Sequence, residues 1–489
     1  MDSRRRHSLP LLSLLINFVL LNPTYGIGEF GYEVIRVNYK FDGSGPTLSA
    51  LRAHDAVRHL SIFAGVDLPL GGTGRPDAVG LYYAKIGIGT PSKDYYVQVD
   101  TGSDITWVNC IQCRQCPKKG YHGIELTLYN PKDSLTANLV SCNQPFCKAI
   151  GGGLSGCGAN ASCFYTEVYG DGSYSMGYFV EDVVQYDRVS GDLQTKSANG
   201  TVIFGCGAGQ SGDLGSPDDA LDGILGFGKS NSSMLSQLAS SGKVKKMFAH
   251  CLDGDNGGGI FAIGHVVQPQ VNTTPLVRDQ PHYNVNMTAI QVGSDYLNLT
   301  TDVLFGDKKG AIIDSGTTLA YLPEAIYVPL VKKILSTQPD LKLQTLHDQY
   351  TCFEFSESRV DEGFPNITLH FENSLSLMVY PHDYLFHFED LMCIGWQNSG
   401  MGSQDKKNIT VLGDLVLSNK LVLYDLEKQS IGWTEYNCSS SIQLKDEITG
   451  SVHLVGAHSL SRGCITTSRT AAFFSLVALL FILFLQSML

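Results

Sequence analysis

Two short and nearly identical motifs lie more than two hundred residues apart in this chain, and they constrain its fold more than any other feature. Asp100-Thr101-Gly102-Ser103 and Asp314-Ser315-Gly316-Thr317 each follow an apolar run. Each half then continues with an apolar-apolar-glycine element, at residues 224–226 and 411–413. A repeated order of elements indicates an internal duplication, so the sequence predicts two homologous lobes.

Composition favours strands over helices. Charged residues make up only 17% of the 489 residues, and 52 glycines are interspersed with Val, Ile, Tyr and Thr. These residues are typical of short strands joined by tight turns, so the predicted class is all-β. The formal net charge of -12, without a long Lys/Arg run in the body of the chain, argues against a nucleic-acid partner.

The two aspartates are candidate catalytic groups. Glycine two residues after each aspartate permits a tight turn, and the hydroxyl residues at the second and fourth motif positions can bond to backbone and carboxylate. If Asp100 and Asp314 meet, they cannot both ionise and will share one proton. One can then act as general base on a water while the other polarises a peptide carbonyl. The pattern predicts acid-optimum peptide hydrolysis that needs no metal or cofactor.

At these motifs the chain resembles the pepsin-like aspartic proteases, over nearly all of residues 81–437, and in particular their plant nepenthesin-like branch with a C-terminal GPI signal. The resemblance implies a bilobal acid-protease fold of two β-barrel lobes, at residues 78–281 and 282–440, with the active-site cleft between them. It implies an aspartic endopeptidase that acts on polypeptide substrates, and we expect a monomer. The alternative is a catalytically inactive pepsin-like protein that binds or inhibits a partner at the cell surface.

The same resemblance implies roles for individual residues. Tyr169 matches the tyrosine of a flap that closes over substrate, with the hairpin tip at Gly170-Asp171-Gly172, and Trp107 matches the tryptophan that holds this tyrosine. Ser103 and Thr317 match hydroxyls that bond to the outer carboxylate oxygens, whereas Thr101 and Ser315 match the pair that joins the two aspartate loops. Elements 224–228 and 411–414 match the strands that support these loops.

Twelve of the thirteen cysteines precede the C-terminal segment, and the oxidising secretory route makes disulfides the expected state. They are Cys110, Cys113, Cys116, Cys142, Cys147, Cys157, Cys163, Cys206, Cys251, Cys352, Cys393 and Cys438. Nine fall in the first lobe and three in the second, so complete pairing requires a disulfide between lobes, for which Cys438 is the second-lobe candidate. A zinc site at Cys110, Cys113 and Cys116 is the alternative to disulfides there. The resemblance implies a Cys352–Cys393 disulfide.

Both ends are predicted to be processing segments. Three arginines before a short leucine-rich run indicate a signal peptide at residues 1–25. Residues 26–77 are interpreted as a prosegment, or alternatively a solvated leader, whose glycine-rich end at 71–76 is predicted to be an exposed linker. Residues 441–489 are predicted to be a polar linker and a GPI-attachment signal, with Ser459, Ser461 and Gly463 as candidate attachment residues. A retained membrane helix is the alternative.

Sequons for N-glycosylation agree with the secretory route. They lie at Asn160, Asn199, Asn231, Asn272, Asn286, Asn298, Asn366, Asn408 and Asn437. We therefore expect the protein at the outer face of the plasma membrane, bound to the membrane through a GPI anchor and partly released.

Overall fold

Strands contain far more residues than helices do, which confirms the all-β class. The computed structural model describes residues 65–460, apart from 77–80, 122–123, 152–156, 159–160, 216–219, 306–308, 348–349, 402–407 and 448. The predicted signal peptide, most of the prosegment, the apolar C-terminal tail, Asn160, Ser461 and Gly463 lie outside the described residues.

The strands, numbered in chain order, are β1 (Val66–Asp67), β2 (Leu70–Thr73), β3 (Leu81–Ile88), β4 (Lys93–Asp100), β5 (Trp107–Arg114), β6 (Asn138–Leu139), β7 (Phe164–Val168), β8 (Tyr174–Gly191), β9 (Gln194–Gln210), β10 (Gly223–Gly226), β11 (Met247–Leu252), β12 (Gly259–Ile263), β13 (His265–Gln268), β14 (Thr273–Pro275), β15 (Asn284–Val285) and β16 (Met287–Val292). They continue with β17 (Asp295–Tyr296), β18 (Ala311–Ile313), β19 (Ala320–Leu322), β20 (Gln344–Leu346), β21 (Tyr350–Phe353), β22 (Ile367–Phe371), β23 (Ser376–Val379), β24 (Leu385–Phe388), β25 (Leu391–Ile394), β26 (Trp396–Asn398), β27 (Thr410–Leu412), β28 (Lys420–Asp425), β29 (Ser430–Glu435), β30 (Ser441–Lys445) and β31 (Val452–Gly456).

The helices are short. They are α1 (Pro145–Ala149), α2 (Met234–Ser240), α3 (Thr301–Leu304), α4 (Glu324–Leu335), α5 (Val360–Gly363), α6 (Pro381–Tyr384) and α7 (Asp414–Leu417). Among the helices of the described residues, none is long and apolar enough to cross a membrane.

One large sheet combines strands from both halves of the chain. Its order is β14-β29-β28-β11-β12-β1-β8-β9-β5-β10-β4-β3-β2, with β6 and β7 attached to β8. Strand β11 of the first half pairs with β28 of the second half from Met247 opposite Asp425 to Cys251 opposite Leu421. The remaining strands form four smaller sheets with the orders β13-β30-β31, β15-β18-β27-β19-β26, β17-β16-β22-β23 and β20-β21-β25-β24.

Strands β1 and β2 lie within the segment that the sequence assigns to the prosegment. Strand β1 pairs with β8 and β12, and β2 pairs with β3. The prediction of an exposed linker at 71–76 is wrong for its first part, because Gly71 and Gly72 are buried. A Cβ atom on Gly71 would lie about 2.6 Å from the Tyr83 ring, so glycine permits this close packing.

A C-terminal hairpin occupies part of the predicted polar linker. Strands β30 and β31 pair with each other, and β30 also pairs with β13. Ile442 and Leu444 alternate inward and are fully buried against a cluster that includes Ala262 and Val266. Residues 441–456 are therefore part of the fold rather than a linker.

The twelve cysteines between residues 110 and 438 are all paired. The disulfides are Cys110–Cys206, Cys113–Cys116, Cys142–Cys157, Cys147–Cys163, Cys251–Cys438 and Cys352–Cys393. Cys251 belongs to the first half and Cys438 to the second, which confirms the disulfide predicted from the odd counts. Because Cys110, Cys113 and Cys116 are all in disulfides, they are not available as zinc ligands.

Candidate active site

Two equivalent strand pairs present the aspartate motifs. Strand β10 lies parallel to β4 and reaches Gly226 opposite Asp100, while β27 lies parallel to β18 and reaches Leu412 opposite Ile313. The backbone N–H of Phe227 donates to the Asp100 carbonyl at 2.7 Å, and that of Asp314 donates to the Leu412 carbonyl at 3.0 Å. The apolar-apolar-glycine elements thus fix the end of each strand from which an aspartate loop begins.

The structure places the Asp100 and Asp314 carboxyls side by side, close enough for the charge of one to act on the other. The glycines of the two loops make this approach possible. A Cβ atom on Gly102 would lie about 2.5 Å from Asp314 Oδ1, and one on Gly316 would overlap the Asp100 carboxyl. Any residue larger than glycine would therefore push the two carboxyls apart.

Each loop holds its own carboxyl in the same way. The N–H of Gly102 donates to Asp100 Oδ1 at 2.8 Å, and the N–H of Gly316 donates to Asp314 Oδ1 at 2.8 Å. The Ser103 hydroxyl donates to Asp100 Oδ2, and the Thr317 hydroxyl donates to Asp314 Oδ2 at 2.7 Å. These bonds leave the two carboxyls with a fixed orientation.

The second hydroxyl of each motif connects the loops to each other. The N–H of Ser315 donates to Thr101 Oγ1 at 2.9 Å, and both hydroxyls reach carbonyls of the opposite half at 3.4 Å. Thr101 and Ser315 are buried, so these bonds are shielded from water. The position of one carboxyl is thereby linked to that of the other.

Burial and mutual repulsion make the pair difficult to ionise. Asp100 is 5% exposed. Removal from water and the charge of Asp314 raise the pKa of Asp100 to about 7. The hydrogen bonds from Ser103 and Gly102 favour the ionised form, but their effect is smaller. The pair therefore retains one proton throughout the acidic range.

A hairpin turn carries the candidate flap. The Tyr169 N–H donates to the Ser173 carbonyl at 2.9 Å, and Gly172 has a φ of 90°, which a glycine adopts readily. Asp171 Oδ1 accepts from the backbone N–H of Ser173 at 2.9 Å and from its hydroxyl at 2.7 Å. Gly170 completes the tip, so all four residues of the predicted flap lie at one turn.

The Trp107 indole fixes the flap tyrosine. Its Nε1–H donates to the Tyr169 hydroxyl at 2.6 Å. Burial and the charge of Asp100 hold the pKa of Tyr169 well above its usual range, so the phenol stays neutral. The tyrosine is therefore close enough to the acid pair to experience its charge.

Comparisons with known proteins agree with this geometry. A family model described as xylanase inhibitor N-terminal matches residues 82–265, and one described as xylanase inhibitor C-terminal matches residues 282–435. Aspartic proteinase 36 of Arabidopsis thaliana is 51% identical over 433 residues, which cover 88% of this chain and 89% of that protein. The chain belongs to the plant aspartic proteinase family. Aspartic proteinase nepenthesin-2 of Nepenthes gracilis is 27% identical over 377 residues, which cover 74% of this chain and 79% of nepenthesin-2.

Solved structures show the same fold at low sequence identity. The crystal structure of edgp matches with a TM-score of 0.60 at 19% identity, and the match covers 76% of this chain and 95% of the edgp chain. Conglutin gamma, a basic 7S globulin from lupine seeds, matches with a TM-score of 0.60 at 18% identity over the same shares. These likenesses establish the pepsin-like fold of this family member.

A third buried aspartate lies near the pair, and sequence reasoning missed it. Asp414 is 1% exposed at the start of α7. Burial, together with the charges of Asp314 and Asp100, holds its pKa well above the usual range. Asp414 directly follows the second apolar-apolar-glycine element, and this position is the sequence signal that could have identified it as a site residue.

A buried histidine and tyrosine support the loops from behind. The Tyr424 hydroxyl lies 3.0 Å from His250 Nε2 and is close enough to Thr101 and Asp314 to be influenced by both. Burial lowers the pKa of His250 to about 3, so its ring is neutral under ordinary conditions. Nothing in the sequence around His250 connects it to the aspartate loops, because the contact depends on the pairing of β11 with β28.

The modification candidates differ in accessibility. The exposed asparagines are Asn199, Asn231, Asn272, Asn298, Asn366, Asn408 and Asn437. Asn286 is half-buried and its amide donates to Glu372 Oε1 at 3.0 Å, so it is the least accessible described candidate. Ser459 has a buried hydroxyl oxygen.

Proposed function

We propose that this chain is an aspartic endopeptidase that hydrolyses peptide bonds with a water activated between Asp100 and Asp314. The observation that carries the proposal is the close approach of these two carboxyls at the ends of two equivalent strand pairs. Membership of the plant aspartic proteinase family supports the same reaction class.

The mechanism follows from the shared proton. The ionised carboxyl accepts a proton from water as the oxygen attacks the peptide carbonyl carbon, and the protonated carboxyl donates to the carbonyl oxygen. Collapse of the tetrahedral intermediate breaks the C–N bond, and the amine leaves with a proton from the first carboxyl. As the C=O bond re-forms, one hydroxyl of the intermediate returns a proton to the second carboxyl. Both states of the pair contain one proton, so the cycle closes without a covalent intermediate.

The flap supports binding of an extended polypeptide. Tyr169 is fixed by Trp107 and close to the acid pair, so the hairpin can cover a substrate strand while excluding water from the reacting bond. We propose an apolar preference beside the scissile bond.

Peptide cleavage tests this function directly. Purified protein is assayed with quenched peptides from about pH 3 to pH 7, with and without pepstatin. We expect pepstatin-sensitive cleavage that is strongest in acid and that falls by about a thousandfold or more in Asp100→Asn, because this variant removes half of the acid–base pair. Cleavage that survives in Asp100→Asn would contradict the mechanism.

A second candidate function is binding or inhibition of a partner without catalysis. It is favoured by the descriptions of the two matching family models as xylanase inhibitor regions. Absence of peptide cleavage, together with inhibition of a xylanase by the same preparation, would favour this alternative.

We also propose secretion, a prosegment that covers the cleft until acid releases it, and a GPI anchor at the outer face of the plasma membrane. Six disulfides and exposed sequons support the secretory route. Because β1 and β2 are paired within the sheet, we place prosegment cleavage before Gly65 rather than near residue 77. Mass spectrometry of the mature terminal peptides tests both processing sites.

A further inference from the structure

A cavity of about 650 Å³ lies beside the flap hairpin. Its walls are largely apolar and include Ile105, Ile150, Phe164 and Met176. Ile105 follows the Asp100 loop, and Phe164 belongs to β7, the strand that leads into the flap. The cavity is therefore built from the same elements as the candidate active site, and its volume is in the range of ligand pockets.

Glu167 is the one ionisable carboxyl group among the described residues that line this cavity. It precedes Tyr169 by two residues, and side chains two residues apart lie on the same face of an extended chain. Its neighbour on that face, Tyr165, is buried. The Glu167 side chain thus lies on the side of the hairpin that carries the flap tyrosine.

No hydrogen bond or ion pair to the Glu167 carboxylate is found within the described part of the chain. Asp104, the acid whose charge acts on Glu167, does have partners. Its Oδ1 accepts from the Ser230 N–H at 2.9 Å, and the charges of His282, Lys246 and Lys229 favour its ionised form. Burial, and then the charge of Asp104, raises the pKa of Glu167 to about 7. A half-buried acid without a partner is costly to ionise until a cation reaches it.

We propose that this cavity binds a lysine or arginine side chain of the polypeptide substrate and that Glu167 selects it. This inference rests on the proposed peptidase function and names a substrate class for it. The apolar walls accommodate the methylene stem of such a side chain, while the carboxylate accepts hydrogen bonds from its cationic head. A neutral side chain of equal length would fill the same walls but leave the carboxylate unpaired.

The preference depends on pH in a defined direction. The ionisable groups around Glu167 and its cavity are Asp104, Tyr165, Tyr169 and Tyr178. The raised pKa values of the three tyrosines keep them neutral across the working range. Glu167 becomes more ionised as the pH rises towards 7, so its attraction for a bound cation increases. The ratio of rates for cationic and neutral peptides should therefore grow from about pH 4 to about pH 6.

Matched peptides test the selection. Quenched peptides that carry either lysine or norleucine are compared at every position around the scissile bond. At one position we expect kcat/KM to be about tenfold higher for lysine near pH 6. Glu167→Gln should remove this ratio, because kcat/KM for the lysine peptide falls to the value for the norleucine peptide measured with the same variant. Glu354→Gln, at an exposed acid outside the cavity lining, should preserve the ratio.

Two results would overturn the selection by Glu167: equal rates for lysine and norleucine at every position, or a lysine preference that persists in Glu167→Gln. A binding measurement separates these from failure of the peptidase function. Fluorescence anisotropy with the Asp100→Asn variant requires no cleavage, and the lysine peptide should bind more tightly than the norleucine peptide only while Glu167 is present. If neither peptide binds differently, the pocket proposal fails whether or not the protein is a peptidase.

Discussion

At the scale of single residues, the acid pair is surrounded by groups whose ionisation is suppressed. Asp414 is buried, and its pKa is held well above the usual range by burial and by the charges of Asp314 and Asp100. As the pH rises, an acid with a raised pKa loses its proton in the unfolded chain before it does so in the folded chain. Its contribution therefore lowers stability as the pH rises above about 4, the ordinary pKa of an aspartate.

Asp414→Asn should therefore stabilise the protein at neutral pH but not in acid. The amide cannot ionise, so the unfolded variant gains nothing from proton loss at this position. We expect a melting temperature about 2 °C or more above that of the wild type at pH 7, and little difference near pH 4. Thermal unfolding at the two pH values measures this effect. Asp390→Asn, at an exposed aspartate, is the control, and an equal gain at both pH values would contradict the explanation.

At the scale of elements, the C-terminal hairpin is held to the first half by pairs of histidine and acid. His458 Nε2 lies 2.8 Å from Asp67 Oδ2, and His265 Nδ1 lies 2.6 Å from Glu447 Oε1. Burial opposes the charge on His458, but the hydrogen bond and charge of Asp67, aided by the charge of Asp187, outweigh it and raise the pKa of His458. The resulting stabilisation is complete below the unfolded pKa of about 6.5 and is lost as the pH rises through the folded value.

Amide exchange in β30 and β31 should therefore be slower in mild acid than in mild alkali, after correction for the intrinsic exchange rates. We expect protection to fall several-fold between about pH 5 and pH 8, because the stabilisation from His458 is lost as the pH rises above the unfolded pKa and through the folded one. His458→Gln should abolish most of this difference, whereas His387→Gln, in β24, should preserve it. Uniform protection at both pH values in the wild type would refute the role of these pairs.

The elements around the aspartates could be predicted from sequence, whereas those at the ends of the fold could not. The runs that end at Val99 and Ile313 are locally apolar and repeat in the same order, so both loops were recognisable. Strand β2 contains Gly71 and Gly72, which are typical of a linker, and only its pairing with β3 makes it a strand. The same holds for β30, whose buried face exists because distant residues of the first half cover it.

At the scale of the whole molecule, the two halves are joined through β11 and β28. The counts of cysteines required a disulfide between the halves and indicated Cys438, but they could not identify Cys251, because its position depends on the pairing of β11 with β12 and β28. Likewise, the sequence around Glu167 does not indicate a cavity, because the residues that line the cavity lie up to about a hundred positions apart in the chain. Long-range packing determines what a sequence motif alone leaves open.

The disulfide between the halves should contribute more stability than any short-range disulfide of this chain. Cys251–Cys438 spans 187 residues, whereas Cys113–Cys116 spans 3. In the chain-entropy model, the loss of the first costs about 5 kcal/mol and the loss of the second about 2 kcal/mol, because a longer loop restricts the unfolded chain more. Denaturant unfolding of Cys251→Ala/Cys438→Ala and of Cys113→Ala/Cys116→Ala measures the two costs. If both pairs prove equally costly, native packing rather than chain entropy determines what a disulfide contributes to this fold.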